Sequence, residues 1–337
     1  MRIEAQPRRP ALAALAATLI GFAAPAFTVA ATPCNYLDLM PAYEQFAAAT
    51  ADSSPEERAS AFLTQIAARY PDYYSTEVFG DESRLKKRAL QFFGPTQNTV
   101  IFPGVTPLTP QRLSALAAVV GPQFAAQQRS FLQTFSDFTC DTTVEFGVSL
   151  LKFDGHPADF AGKHHLLFGV DTIALLHVPA DMPAFFDHEL FHLYHRQVIG
   201  SQAPQGEDPA WWSMWTEGLA TYVSQRMNPQ LDAQQVLWYP QDMVTRMDKE
   251  LAHAALLMLE DIEKRGSDAD RWFLASQSVD GLPQRAGYYL GYLFVKSEGA
   301  GKPLPQLART PPTEIHAHAV RFLTQLSRAG RTQAPQP

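Results

Sequence analysis

The sequence predicts an α+β chain, mostly helical, with a small antiparallel sheet and a helical N-terminal region. Three observations carry that expectation. Apolar residues recur at helical spacing through much of the first 140 positions. The run Thr143–Phe153 is dense in β-branched and aromatic residues, as strands are. Beyond Pro183, apolar segments alternate with polar or Pro/Gly-rich stretches, the punctuation expected between helices.

The elements follow in chain order. Arg2, Arg8 and Arg9 precede an uncharged apolar stretch from Ala11 to about Phe27, and small residues fill Thr28 to Ala31. That pattern predicts a secretory signal peptide over 1–31. The apolar stretch is short for a membrane span, so the mature chain is expected in the periplasm or secreted, with no stable membrane association. Cys34 and Cys140 both follow the expected cut, and an oxidising compartment favours pairing them. Two buried thiols that never meet are the alternative.

Residues 32–140 form the helical region. Pro55-Glu56-Glu57 opens one helix, Asp81 to Phe93 forms a second, and a third starts after Thr109-Pro110, with a break expected at Gly121-Pro122. From 141 to 328 a second region is expected. Its first strand is Thr143–Phe153, and Leu166–Phe168 and Ile173–Leu176 flank Gly169-Val170-Asp171 as a hairpin would. One helix runs from Pro183 to Ile199 and another from Ala210 to Arg226. Further helices are expected around 241–264, 285–296 and 313–327, and residues 329–337 read as a disordered tail.

Bulk properties exclude some classes. Twenty-seven basic and 34 acidic residues are spread along the chain, for a net charge of −7. A nucleic-acid partner wants a clustered basic face instead. With 46% hydrophobic residues the chain can bury one large core or two smaller ones.

The chemistry concentrates at His188-Glu189-Leu190-Phe191-His192. On a helix, residues four apart share a face, so two imidazoles can converge on one ion. Zinc accepts nitrogen donors tetrahedrally, at about 2.0–2.1 Å. Glu189 would stand beside that ion, placed to take a proton from a metal-activated water. Apolar neighbours on most sides of this helix predict its burial, and burying two histidines and a glutamate is costly unless something satisfies them. Glu217, in Trp215-Thr216-Glu217-Gly218-Leu219-Ala220 on the next helix, would complete a His₂Glu set with a fourth position open. His195 is a rival ligand near the same face. Tyr288 and Tyr292, four apart in Gly287-Tyr288-Tyr289-Leu290-Gly291-Tyr292, are candidate oxyanion donors, with aromatic core packing as the plainer reading. Arg285 is an alternative donor, or an exposed surface arginine.

His188–His192 followed by Glu217-Gly218-Leu219-Ala220, with the later Gly-Tyr-x-x-Gly-Tyr, resembles the gluzincin metallopeptidases, and within them a family of predicted bacterial zinc-dependent proteases. The resemblance covers roughly 143–327. It implies a zincin-like core, one Zn²⁺ per chain, a peptide or protein substrate, and Glu189 as general base. It also implies that a strand around 173–178 borders the cleft and pairs with an extended peptide. One position departs: thermolysin-like enzymes carry an aspartate where this chain has Thr221, so support for the third ligand must be built differently. A secreted zinc-binding protein without hydrolytic activity is the alternative function. Asp187 and Asp171 are candidate partners for the ligand histidines.

Overall fold

The computed structural model describes residues 31–94, 105–160, 162–178 and 180–329. The expected leader up to Ala30, and the expected tail from Gly330, lie outside them.

Local capping chemistry starts the N-terminal helices. Pro41 sits in the first turn of α1 (Met40–Ala49). Ser54 and Glu57 form a reciprocal capping box on α2 (Pro55–Gln65). Ser75 caps the single turn α3 (Thr76–Phe79), and Asp81 caps α4 (Glu82–Phe93) by accepting from the Arg84 N–H. Thr109 caps α5 (Pro110–Ala117) in the same way. The break expected at Gly121-Pro122 falls earlier, at Ala118-Val119, and α6 (Val120–Thr134) takes Gly121 and Pro122 into its first turn. Proline is tolerated there because the N–H it lacks would have no partner anyway.

The sheet has four strands in the order β1-β2-β4-β3: β1 (Tyr36–Asp38), β2 (Thr142–Gly147), β3 (Gly155–Phe160) and β4 (Lys163–Gly169). It is mixed. β1 and β4 both run parallel to β2, and β3 alone is antiparallel to β4, so the antiparallel sheet expected from sequence is corrected. Alternation along a strand reports which face is buried and is silent on the direction of the neighbour. Phe146 and Phe168 stack across β2 and β4, with ring centroids 4.9 Å apart, and edges of Phe124 and Phe186 close over them.

Two further expectations change here. The strand expected to reach Phe153 ends at Gly147, and the chain turns through Leu150 and Leu151, both at positive φ. Asp171 holds that turn: one carboxylate oxygen accepts from Ser149 N–H and the other from Leu151 N–H, each at 2.6 Å. The expected hairpin does not form either. β4 runs directly into α7 (Val170–Leu176). Six of its seven residues are buried, and so short an apolar run carries no period that separates helix from strand. Gly169 serves close approach, since a Cβ there would stand 2.6 Å from Ser149 Cβ.

The second half is helical: α8 (Met182–Ile199), α9 (Ala210–Met227), α10 (Ala233–Leu237), α11 (Met243–Asp261), α12 (Ala286–Glu298) and α13 (Pro312–Ala329). α9 packs against both α8 and α12, and α11 against α13. At the α9–α12 contact Gly218 faces Gly291, backbone on backbone. The change of element type near Cys140 is therefore not a break in packing, because one sheet and one hydrophobic core run across it. Cys34 and Cys140 form a disulfide, with Cα atoms 5.0 Å apart. No helix among the described residues is long and apolar enough to cross a membrane.

Candidate metal centre

α8 supplies two donors and α9 the third. His188 Nε2 and His192 Nε2 lie 3.0 Å apart, and Glu217 Oε2 lies 3.3 Å from the first and 3.5 Å from the second. Tetrahedral donors about 2.0–2.1 Å from a zinc ion would be separated by about 3.3 Å, which these three edges approximate. A hydrogen bond between the two imidazole Nε2 atoms accounts for only part of the cluster. Glu217 Oε2 is buried beside both rings and receives no well-directed hydrogen bond from either. Three electron-pair donors thus converge on one point, a donor set suited to a divalent cation.

The cluster opens into a cavity of about 390 Å³ whose walls include Glu189, Asp154, Gly155, Trp238, Arg285 and Tyr288. His188 is almost fully covered, whereas His192 and Glu217 keep about one fifth of their side chains exposed, so solvent reaches the metal position from this side. Burial pushes the His188 pKa down to about 4, leaving its ring neutral as a metal ligand requires. Burial opposes ionisation of Glu217, but the charge of His192, with smaller contributions from His188, outweighs it and holds the carboxylate ionised. In turn, burial works to lower His192, but Glu217 and Glu189 overcome it and raise the ring to about 9. Burial raises Glu189 to about 8, and the nearby Asp154 and Glu217 charges add to that. Gly155 touches the Glu189 carboxylate so closely that a Cβ there would stand 2.8 Å from Oε2.

The chain was compared with family models, curated proteins and solved structures. None matches. The site therefore has to be read from its own atoms.

Of the residues singled out in the sequence, His188, His192, Glu217, Glu189, Tyr288, His195 and Arg285 line one cavity. The Tyr288 ring lies nearly parallel to that of His188, with centroids 6.2 Å apart. Tyr292 is not among the cavity walls. It is buried, stacked on Tyr289, and donates its hydroxyl to Gln225 Oε1 at 2.5 Å. The Gly218–Gly291 contact brings α9 against this part of α12, which makes Tyr292 a packing residue. His195 stacks between Phe191 and Trp212 and lies outside the three-donor cluster. Asp187 and Asp171 do not support the ligand histidines: Asp187 accepts from Gln127 and Asn228, and Asp171 holds the Ser149–Leu151 turn. Thr221, at the departing position, donates its hydroxyl to the Glu217 carbonyl at 2.8 Å.

Two wall residues, Asp154 and Trp238, escaped the sequence reading, and a third, Arg285, was placed by it only as an alternative. Asp154 holds buried His177 at 3.0 Å, and burial works against its charge, but His177 and Arg285 prevail and lower it to about 2. Trp238 packs its ring 5.4 Å from that of His188. Arg285, expected as an alternative donor or an exposed surface arginine, lies in the cavity wall, its guanidinium 4.1 Å over the Tyr288 ring and donating to the carbonyls of Leu237 and Tyr239. Its left-handed φ of 60° at the N-cap of α12 aims it there. Only Asp154-Gly155, an acid and a glycine at a strand start, left any local signal.

Proposed function

We propose that this chain is an exported, zinc-dependent peptidase of the gluzincin type, with His188, His192 and Glu217 holding the metal and Glu189 acting as general base. The observation that carries the reading is the convergence of those three donors beside a buried carboxylate in an open cavity. Bound zinc would polarise a carbonyl and make a water acidic enough to lose its proton near neutrality. Glu189 takes that proton at its carboxylate and returns it to the leaving amine. Asp154 and Glu217, both held ionised, favour proton uptake by Glu189. The Tyr288 hydroxyl donates to the oxyanion, and Arg285 positions its ring from above.

A peptide substrate is supported by β3. It is one of the two edge strands, and its residues Gly155 and Pro157, with the preceding Asp154, line the cavity. An extended chain can pair along such an edge. This role was expected of residues 173–178, but Ile173–Leu176 belongs to α7. Export is supported by the disulfide, which persists in a non-reducing compartment.

Elemental analysis of the purified chain, followed by peptide-library cleavage with Glu189→Gln as control, tests the reading. About one zinc per chain and cleavage lost in the variant are expected. Zinc without any cleavage would leave the non-catalytic zinc-binding alternative. A chain that takes up no metal would end both.

A further inference from the structure

A second concavity, of about 470 Å³, lies away from the metal centre. On α4, Arg84, Lys87, Arg88 and Gln91 are spaced three or four apart and so share one face. That face lines the concavity together with Lys152, which arrives from the turn after β2. Glu77 is the single acid among the lining residues. None of the four cations is within ion-pair distance of a carboxylate among the described residues, although Asp81 attracts Arg84 and Asp171 attracts Arg88 from further away. A charged helix face in open water would look similar along α4, but two features go further.

First, the site is shaped. Gly80 sits at φ +77°, and a Cβ there would stand 2.7 Å from Arg84 Cδ, so the missing side chain leaves room for the arginine stem. Arg88 is anchored by donating to the Leu150 carbonyl at 3.4 Å. Second, Arg88 at the centre of the group is partly withdrawn from water. Burial lowers the pKa of both Arg88 and Lys152, and Arg88 lowers Lys152 further. Like charges gathered in a concave wall focus a positive field that an anion relieves.

We infer that this concavity binds a multiply charged oxyanion of the phosphate-ester class. Two arginine forks and two lysines match several oxygens at once, and the volume exceeds what one carboxylate would fill. The source is either a soluble phosphate ester or a phospholipid headgroup.

The test is calorimetry of the zinc-loaded full chain with inorganic phosphate and pyrophosphate, alongside the Lys87→Ser/Lys152→Ser double variant. Both lysines are exposed, so the variant should fold and keep its zinc. A sub-millimolar Kd is expected that weakens with salt and falls at least roughly tenfold in the double variant. Phosphate that binds equally well to the variant sits at the metal or on no specific site, and the inference is then wrong. Co-sedimentation with phosphatidylglycerol vesicles, compared with phosphatidylcholine, separates the sources. Vesicle binding lost in the double variant assigns a headgroup. Phosphate binding without vesicle binding assigns a soluble ester, and neither would overturn the site.

Discussion

The Gly218–Gly291 contact makes the sharpest prediction, because it ties the third metal donor to a point of backbone packing. A Cβ on Gly291 would stand 2.9 Å from Gly218 Cα, 3.1 Å from Gly218 N, and closer still to the Met214 carbonyl oxygen. Ordinary contact starts near 3.4 Å, so α9 and α12 must separate by at least about 0.5 Å in Gly291→Ala. No rotamer relieves this, since every atom met is backbone. Overpacking of this kind costs about 1–3 kcal/mol, which at this chain length lowers Tm by several degrees. The separation also displaces Glu217, the neighbour of Gly218, from its 3.3 Å and 3.5 Å approach to the two histidines. Zinc affinity, measured by competition with a chromophoric chelator, should therefore fall together with Tm. Gly287→Ala is the control: the nearest atoms its Cβ meets belong to the Phe273 ring, with Cζ 2.7 Å away and Cε1 closer still, and a side chain can yield where backbone cannot. If Gly291→Ala kept wild-type zinc affinity and Tm, or matched Gly287→Ala in both, the coupling of helix packing to the metal donor would be refuted.

Other perturbations separate the remaining roles. Glu217→Ala should weaken zinc by roughly 100-fold or more, since a direct donor counts for more than its supporting contacts; unchanged affinity in the same competition assay would remove Glu217 from the donor set. Gly155→Ala should keep zinc and Tm while lowering kcat by roughly 100-fold, because the new methyl pushes on the far end of the Glu189 side chain and misplaces its carboxylate. Asp171→Asn leaves the Leu151 N–H facing an amide N–H and should cost about 1–3 kcal/mol in urea unfolding. Burial raises the Asp171 pKa to about 6 from an unfolded value of 3.8. The folded chain thus holds the proton more tightly, and stability falls as pH rises from about 4 to about 6, by roughly 3 kcal/mol. The Asn variant should lack that component; parallel wild-type and variant pH profiles would contradict it.

Much of the site was legible because its logic is local. The spacing of His188 and His192 follows from one helical turn, and Glu217 stands out as a carboxylate in an apolar helix. Helix starts were equally local: Asp81, Thr109 and Ser54 announce them through side chains that reach only three residues. What could not be read depends on residues far apart in sequence. Arg285 looks like a surface cation until the 237–239 carbonyls are brought to it. Val170–Leu176 reads equally well as strand or helix, and the choice follows from Gly169 and Asp171 closing on the Ser149 turn. The parallel pairing of β1 with β2 joins segments more than a hundred residues apart, and no local pattern encodes it.

The disulfide limits how the helical region can come apart from the rest of the chain. Residues 35–139 form a covalently closed loop between Cys34 and Cys140. A single proteolytic nick anywhere in that loop leaves both fragments attached. The loop also carries Gln127, which donates to Asp187 on the metal-bearing helix, and Gln128, which bonds to the backbone of Cys34. An inhibitory prosegment must be able to depart once cut. This region cannot leave on one cut, and its departure would strip a sheet strand and a wall of the core from the protein.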